Sequence, residues 1–434
     1  MAITLLSAGS NALGQLANET SEDSHTFGVC LFADSANLHK VLQLASGGNH
    51  TLLLAEVVVG TDNEIRTQLY GCGDGSVGQL GVGIPVTSVF RRLDLQLQEN
   101  GLEGYQPRLI SASWQTTYIV LSFADRPDRV VAMGSDDFGD LGVGGVKRNT
   151  RASGSMPTSP PYHTVRFNHL LVNGAHPDDE NYLAVDSIAA GQHHVVVHFH
   201  TRLTDGSYHY LTAGWGTCRH GELGAVDYIL DKLKKPKPLA FVSTPKLVFV
   251  DQTITSIALG SQHSLFLHGS GNVHGIGSNK RGQLNGLDGV ECAEIGCTWN
   301  GTYVIDKQAR SMHATGSHFK GQLGRTSILN LVVRLGPVEF PFNNVPSSSP
   351  DRQLARMACG SEHVLVSSNN EERNDTEVWG WGWNEHGNLG VGTTEDVQIP
   401  VKVWPQGETD LADAKEVVGI WAGCGTSWIA VRAG

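Results

Sequence analysis

The chain has 434 residues, of which 40% are hydrophobic, 17% charged and 52 are glycine, with a formal net charge of −12. That composition belongs to a folded chain, and the negative charge argues against a sequence-independent grip on nucleic-acid phosphates or an anionic bilayer. No apolar run approaches the roughly 20 residues of a spanning helix, and seven cysteines without a C-x-x-C spacing read as reduced, mostly buried thiols.

The first predicted element is a strand from Met1 to Leu6, with no basic region that would make it a signal peptide. It runs into Gly9-Ser10-Asn11-Ala12-Leu13-Gly14-Gln15-Leu16, and this signature recurs along the whole chain. A strand ends in glycine, a short polar turn follows, and Gly-x-Leu closes it. The later copies close on Leu80, Leu141, Leu223, Leu284, Leu323 and Leu389. Between them stands a second turn, Gly-x-x-His, at Gly47 to His50, Gly191 to His194, Gly260 to His263 and Gly360 to His363. Ser113-Trp114-Gln115-Thr116 and Thr298-Trp299-Asn300-Gly301 lose both glycine and histidine and gain tryptophan. Gly423-Cys424-Gly425-Thr426 loses only the histidine.

Short antiparallel strands joined by glycine turns cannot bury their own apolar faces singly; stacked around an axis they can. The expected fold is all-β, a seven-bladed β-propeller forming a single domain over residues 1–434. The chain starts on a strand that leads into a Gly-x-Leu turn and ends on the strands that should precede one. The ring is therefore expected to close by pairing N-terminal and C-terminal strands in one blade, from about 1–20 and 412–434. The widest interval between repeats, about 145–182, carries Met156-Pro157-Thr158-Ser159-Pro160-Pro161 and reads as an inserted surface loop. The insertion at about 226–235, with Tyr228-Ile229-Leu230 before Lys234-Lys235-Pro236, is expected to form one short helix stopped by the proline.

Chemistry is thinly signalled. Gly73-Asp74-Gly75-Ser76-Val77-Gly78 matches a phosphate-binding glycine pattern, but its sister turns explain the glycines without a phosphate. His194, His198 and His200 share one face of a strand, yet no cysteine or carboxylate follows at ligand spacing. Cys218 with His220, and Cys292 with Cys297, are no stronger. No catalytic residue, metal or cofactor is expected, and the chain reads as a non-enzyme. His50, His194, His263 and His363 are expected to hydrogen-bond between neighbouring blades. In a four-stranded blade the first and third turns lie at one end. Trp114, Gln115, Trp299, Asn300, Asp74, Asp136, Asp137, Trp383 and Glu385 should therefore share one face and are the candidate partner-binding residues. Arg219, Lys280, Arg281 and Lys320 should lie on the opposite arc of that face.

Gly-x-x-His, an apolar strand and then Trp381-Gly382-Trp383-Asn384-Glu385-His386-Gly387-Asn388-Leu389-Gly390 resemble the repeat of the regulator of chromosome condensation family. The resemblance covers essentially the whole chain and implies the propeller fold. Its members include exchange factors for a small nuclear GTPase, ubiquitin-ligase modules, UV-B receptors and adaptors, so fold alone does not decide function. The bare propeller and the Trp-bearing turns look most like the fungal alpha-tubulin-suppressor, or killer-toxin-insensitivity, branch. That branch implies a heterodimer with a small zinc-ribbon protein of diphthamide synthesis. It also implies support of Elongator-dependent wobble-uridine modification in tRNA, with no direct nucleic-acid contact, in the cytoplasm and the nucleus. The alternative is guanine-nucleotide exchange on a small nuclear GTPase. A UV-B receptor would need a dense Trp and Arg cluster, where these turns read Trp114-Gln115 and Trp299-Asn300.

Overall fold

A computed structural model describes residues 3–60, 62–145, 161–178, 182–309, 311–326, 334–344, 352–370, 375–406 and 414–433. They form eight antiparallel sheets, seven of which are the blades of a seven-bladed propeller. We number the blades from the N-terminus. Blade 1 is built from Asn37–Ser46, His50–Val59, Glu64–Asp74 and Val86–Arg92; blade 2 from Gln106–Ala112, Thr116–Phe123, Arg126–Gly134 and His163–Val165. Blade 3 uses Leu183–Ala190, His194–Arg202, Tyr208–Thr217 and Phe241–Val250; blade 4 has three strands, Ile254–Leu259, His263–His268 and Val273–Gly277. Blade 5 comprises Glu294–Thr298, Gly301–Ile305, Met312–Gly316 and Gly336–Pro337; blade 6 comprises Arg352–Cys359, His363–Asn370, Asp375–Gly382 and Val397–Trp404.

The second strands show why these sequences stack. Alternate residues of a strand face opposite sides of its sheet. Leu53 and Ala55 enter a cluster with Leu5 and Trp428 of the neighbouring blade, while Leu52 and Leu54 enter one with Ile119 and Leu121 on the other side. Both faces are covered, so the strand reads as a continuous apolar run. Burying each such leucine contributes about 2 kcal/mol.

Blade 7 pairs the two ends of the chain, in the order Ser24–Val29, Ile3–Gly9, Thr426–Ala433, Ala414–Ala422. Its register runs from Ile3 opposite Arg432 to Gly9 opposite Thr426. The expected closure is observed, and the blade extends to Val29.

Two insertions differ from expectation. No helix forms at 226–235. Tyr228–Leu230 pairs with Pro236–Pro238 as a β-hairpin. The Asp231 carboxylate accepts the amides of Leu233 and Lys235, each at 2.8 Å, and fixes the turn; Lys234 takes φ of 56°. With Tyr228, Leu230 and Leu233 exposed, a helix here would have no core to face. The interval 145–182 is also not one surface loop. Residues 146–160 and 179–181 lie outside the described residues. The rest supplies the fourth strand of blade 2 and the buried side chains Tyr162, Val165, Phe167 and Leu170. The proline run masked this apolar segment.

Candidate functional site

The end of the ring that carries the first and third turns is a rigid platform, and backbone chemistry explains why. Each third strand has a glycine at or next to its end: Gly9, Gly73, Gly134, Gly216, Gly277, Gly316 and Gly382 all have positive φ. A Cβ at any of them would lie 2.1 to 2.5 Å from a first-turn carbonyl oxygen. That same oxygen accepts the amide of the residue after the glycine. Ser10 donates to Gly425, Asp74 to Asn49, Ser135 to Gln115, Thr217 to His193, Ser278 to Gln262, Ser317 to Asn300 and Trp383 to Glu362, all within 2.8 to 3.0 Å. The first and third turns of every blade are thus stitched together. Within the third turns the residue before the closing leucine folds back. Its side-chain oxygen accepts a turn amide at Gln15, Gln79, Asp140, Glu222, Gln283 and Gln322.

The four repeat histidines bind the blades to one another, as expected. Their Nε2 atoms meet Thr117, Ser264, Thr302 and Ser427 of the next blade: His50 at 3.1 Å, His194 at 3.1 Å, His263 at 3.2 Å and His363 at 3.0 Å. A Cβ at Gly47, Gly191, Gly260 or Gly360 would stand 2.2 to 2.7 Å from the ring of that turn's histidine, which is why glycine and histidine travel together. Burial holds the imidazoles neutral, pushing His50, His263 and His363 down to about 4 and His194 to about 3.

Three blades lack the histidine, and each carries an aromatic residue two positions further on. Two residues after the histidine position the other blades carry Leu52, Val196, Leu265 and Leu365, whereas Thr116, Gly301 and Thr426 are followed by Tyr118, Tyr303 and Trp428. In blades 2 and 5 the tyrosine reaches the vacated space: the Tyr118 hydroxyl lies 3.3 Å from that of Ser113, and a Cβ on Gly301 would come 3.0 Å from the Tyr303 hydroxyl. Tyr118 and Tyr303 donate to the carbonyls of Asp140 and Gln322 at 2.9 and 2.8 Å. Those carbonyls also accept the indole N–H groups of Trp215 and Trp381 from the next blade, at 2.7 and 2.8 Å. This paired change is visible in the sequence, yet comparing the turns alone misses it.

With no histidine ring to accommodate, blades 2 and 5 relax the glycine to Ser113 and Thr298. They also place tryptophan at the second turn position, the one that lines the central channel. The turns are joined around that channel. Gly48 donates to Trp114, Trp114 to Gln192, Ser261 to Trp299, Trp299 to Ser361 and Ser361 to Gly423, at 2.7 to 3.0 Å. Trp114 and Trp299 are half-buried and meet across the mouth, with ring centroids 6.0 Å apart and planes tilted by 48°. Gly48 lies under the Trp114 ring, 3.0 Å from it if it carried a Cβ. The cavity beneath, lined by Ser46, Ala190, Cys297 and Cys424 among others, holds about 140 Å³. Ligand pockets of ordinary size hold about 300 to 1,000 Å³.

The other expected contact residues divide. Asp137 is exposed. Asp74 is buried and its carboxylate accepts the Ser76 amide at 2.9 Å, so it shapes its own turn and leaves the contact surface. Asp136 likewise accepts the Leu141 amide at 3.0 Å, as Asn11, Asn279 and Asn384 do for their leucines. Gln115 is half-buried beside Trp114, and Asn300 donates to Glu362 at 2.9 Å. Trp383 packs edge-on against His386, with centroids 5.2 Å apart. Glu385 is bound to Lys320, which also sits 3.3 Å from Asp396. Lys320 is therefore neutralised, while Arg219, Lys280 and Arg281 are exposed.

No group of three His, Cys, Asp or Glu side chains among the described residues is arranged to hold a metal ion. His194 and His198 are buried on Ser264 and Thr212, and His200 lies 3.2 Å from Asp186. Burial pushes the Cys218 and Cys292 thiols up to about 11, which disfavours the thiolate a metal would need.

Two family models of the regulator of chromosome condensation (RCC1) repeat match the chain, one at residues 375–429 and one at 254–283. The secretion-regulating guanine nucleotide exchange factor of Bos taurus is 25% identical, over 98% of this chain and 82% of its own length. An RCC1 repeat-containing protein of Schizosaccharomyces pombe is 24% identical, over 99% of both chains. The crystal structure of human WBSCR16 superposes with a TM-score of 0.69 at 16% identity, over 100% of both chains, a likeness of fold. Two segments of this propeller are thus similar to the RCC1 repeat.

Proposed function

We propose that this RCC1-repeat β-propeller is a non-enzymatic adaptor whose turn-bearing face binds a small zinc-ribbon protein of diphthamide synthesis. Through that heterodimer it would support Elongator-dependent modification of wobble uridine in tRNA. The observation that carries the protein-binding reading is the Trp114–Trp299 pair. Two blades depart from the repeat in step, and the departure sets two large side chains at the centre of a rigid platform. Tryptophans in such central positions are frequent anchors of protein interfaces. The small cavity beneath them suits a protein surface better than a small-molecule substrate. The choice of a zinc-ribbon partner rests on the resemblance of the Trp-bearing turns to the fungal branch.

The test is titration calorimetry of the full chain with the zinc-ribbon protein. Micromolar or tighter binding is expected, weakened about tenfold or more in Trp114→Ala/Trp299→Ala, with the melting temperature as a control for folding. Absence of heat at micromolar concentrations would remove this reading. A second reading, nucleotide exchange on a small GTPase, is favoured by similarity over 98% of the chain to a protein bearing that name. It predicts faster release of a fluorescent guanine nucleotide from the GTPase.

A further inference from the structure

The blade 3 insertion exposes a run of apolar side chains, and it is also basic. Tyr228, Ile229, Leu230 and Leu233 are 64%, 48%, 68% and 76% exposed. Lys232, Lys234, Lys235 and Lys237 surround them, all exposed and none with a carboxylate partner among the described residues. The two acids of this insertion are already engaged, one with the adjoining fourth strand and one in its own turn. Asp227 holds Lys246 at 2.7 Å, and Asp231 caps the turn amides. The hairpin joins the third strand of its blade to the fourth, so it stands at the same end of the ring as the stitched turns. On that same face are Arg219 of blade 3 and Lys280 and Arg281 of blade 4. Arg281 lies 5.7 Å from the ring centroid of Phe319, which blade 5 leaves 74% exposed. In a chain of net charge −12, one arc of one face thus collects unpaired cations around exposed apolar side chains.

We infer that the hairpin and the third turns of blades 3 to 5 form a docking surface for an acidic protein segment with apolar side chains among its carboxylates. This rests on the reading of the face as a protein interface and adds the chemistry of what it takes. Charge complementarity selects the acidic partner. The aliphatic side chains select protein over nucleic acid, because Ile229, Leu230 and Leu233 offer nothing to a phosphate or a stacked base. A flat anionic bilayer laid on this face would meet the exposed Asp137 and Glu385 as well as the lysines.

Fluorescence anisotropy of the full chain tests this with a labelled peptide rich in Glu and Asp with Leu and Phe interspersed. The controls are the same peptide with Gln and Asn for the acids, a labelled oligothymidylate of equal charge, and phosphatidylserine vesicles. The acidic peptide is expected to bind about tenfold or more tightly than its neutral counterpart, and more tightly than the oligonucleotide or the vesicles. Lys232→Glu/Lys234→Glu/Lys235→Glu/Lys237→Glu and Leu230→Ser/Leu233→Ser should each weaken it by at least about tenfold, with an unchanged melting temperature because every altered side chain is exposed. Equal binding of the acidic and neutral peptides, wild-type affinity in either variant, or preference for oligonucleotide or vesicles would overturn the inference. The zinc-ribbon protein takes no part in this assay, so its failure to bind the chain leaves the peptide result standing. Conversely, a zinc-ribbon complex that tolerates both hairpin variants, with no peptide binding, removes only this inference.

Discussion

Acidification should loosen this propeller well before its carboxylates titrate, because four blade junctions depend on neutral imidazoles. His50, His263 and His363 are held down to about 4 and His194 to about 3, against about 6.5 in the unfolded chain. The folded state therefore binds fewer protons than the unfolded one between these values. Stability is full above about pH 6.5 and falls as pH drops towards 4. At about pH 5 an unfolded histidine is almost fully protonated and a buried one hardly so, a loss of roughly 2 kcal/mol each, or roughly 8 kcal/mol for four. Whole-domain stabilities are about 5 to 15 kcal/mol, so the effect is large. Glu222 and Glu294, whose carboxyls burial pushes up, act in the opposite direction, whereas His198 and His268, which burial pushes down, add to the four. The assay is urea unfolding followed by tryptophan fluorescence at about pH 7.5, 6 and 5. The midpoint should fall steeply across this range. His263→Gln/His363→Gln keeps an amide donor for the facing hydroxyl and cannot take up the proton, so it should make the slope clearly shallower. An equal midpoint at pH 7.5 and 5, or an unchanged slope in the double variant, would refute the reasoning.

Other consequences are equally direct. Gly260→Ala would drive a methyl to 2.2 Å from the His263 ring and should cost about 3 kcal/mol; adding His263→Thr should recover part of it, measured as a double-mutant cycle. Tyr303→Leu should cost about 3 kcal/mol through a cavity in blade 5. The triple variant Thr298→Gly/Gly301→His/Tyr303→Leu, which restores the pattern of the histidine blades, should unfold later than Tyr303→Leu alone. Deleting residues 1–9 removes the strand that pairs Thr426–Ala433 and leaves an open edge. Size-exclusion chromatography should then show more association than the intact chain does at equal concentration.

The propeller was legible because its rules are local. A glycine that would collide with a carbonyl, a histidine that needs glycine beneath it and a leucine that closes the turn each leave a fixed spacing, and the ring closure follows from where the pattern begins. The hairpin at 228–238 was not legible, because its turn is held by one Asp231 carboxylate and its apolar residues face solvent, where hydrophobic periodicity means little. The candidate site was half legible. Trp114 and Trp299 stand out as departures from the repeat, but strand order gives their face and not their meeting across the channel. Asp74, Asp136 and Glu385 were read as surface charges; two are committed to turn amides and one to Lys320. The exchange of histidine for Tyr118, Tyr303 and Trp428 two residues on was open to inspection in the sequence. It becomes meaningful only when the two tyrosines are seen to reach the space that histidine fills in the other blades.

The central claim, that the turn-bearing face is the partner interface, is tested most directly by hydrogen exchange of the full chain with and without the zinc-ribbon protein. The account predicts protection concentrated in the turns around Trp114 and Trp299, with the opposite end of the blades unchanged. Protection confined to that opposite end, or to the outer strands, would contradict it.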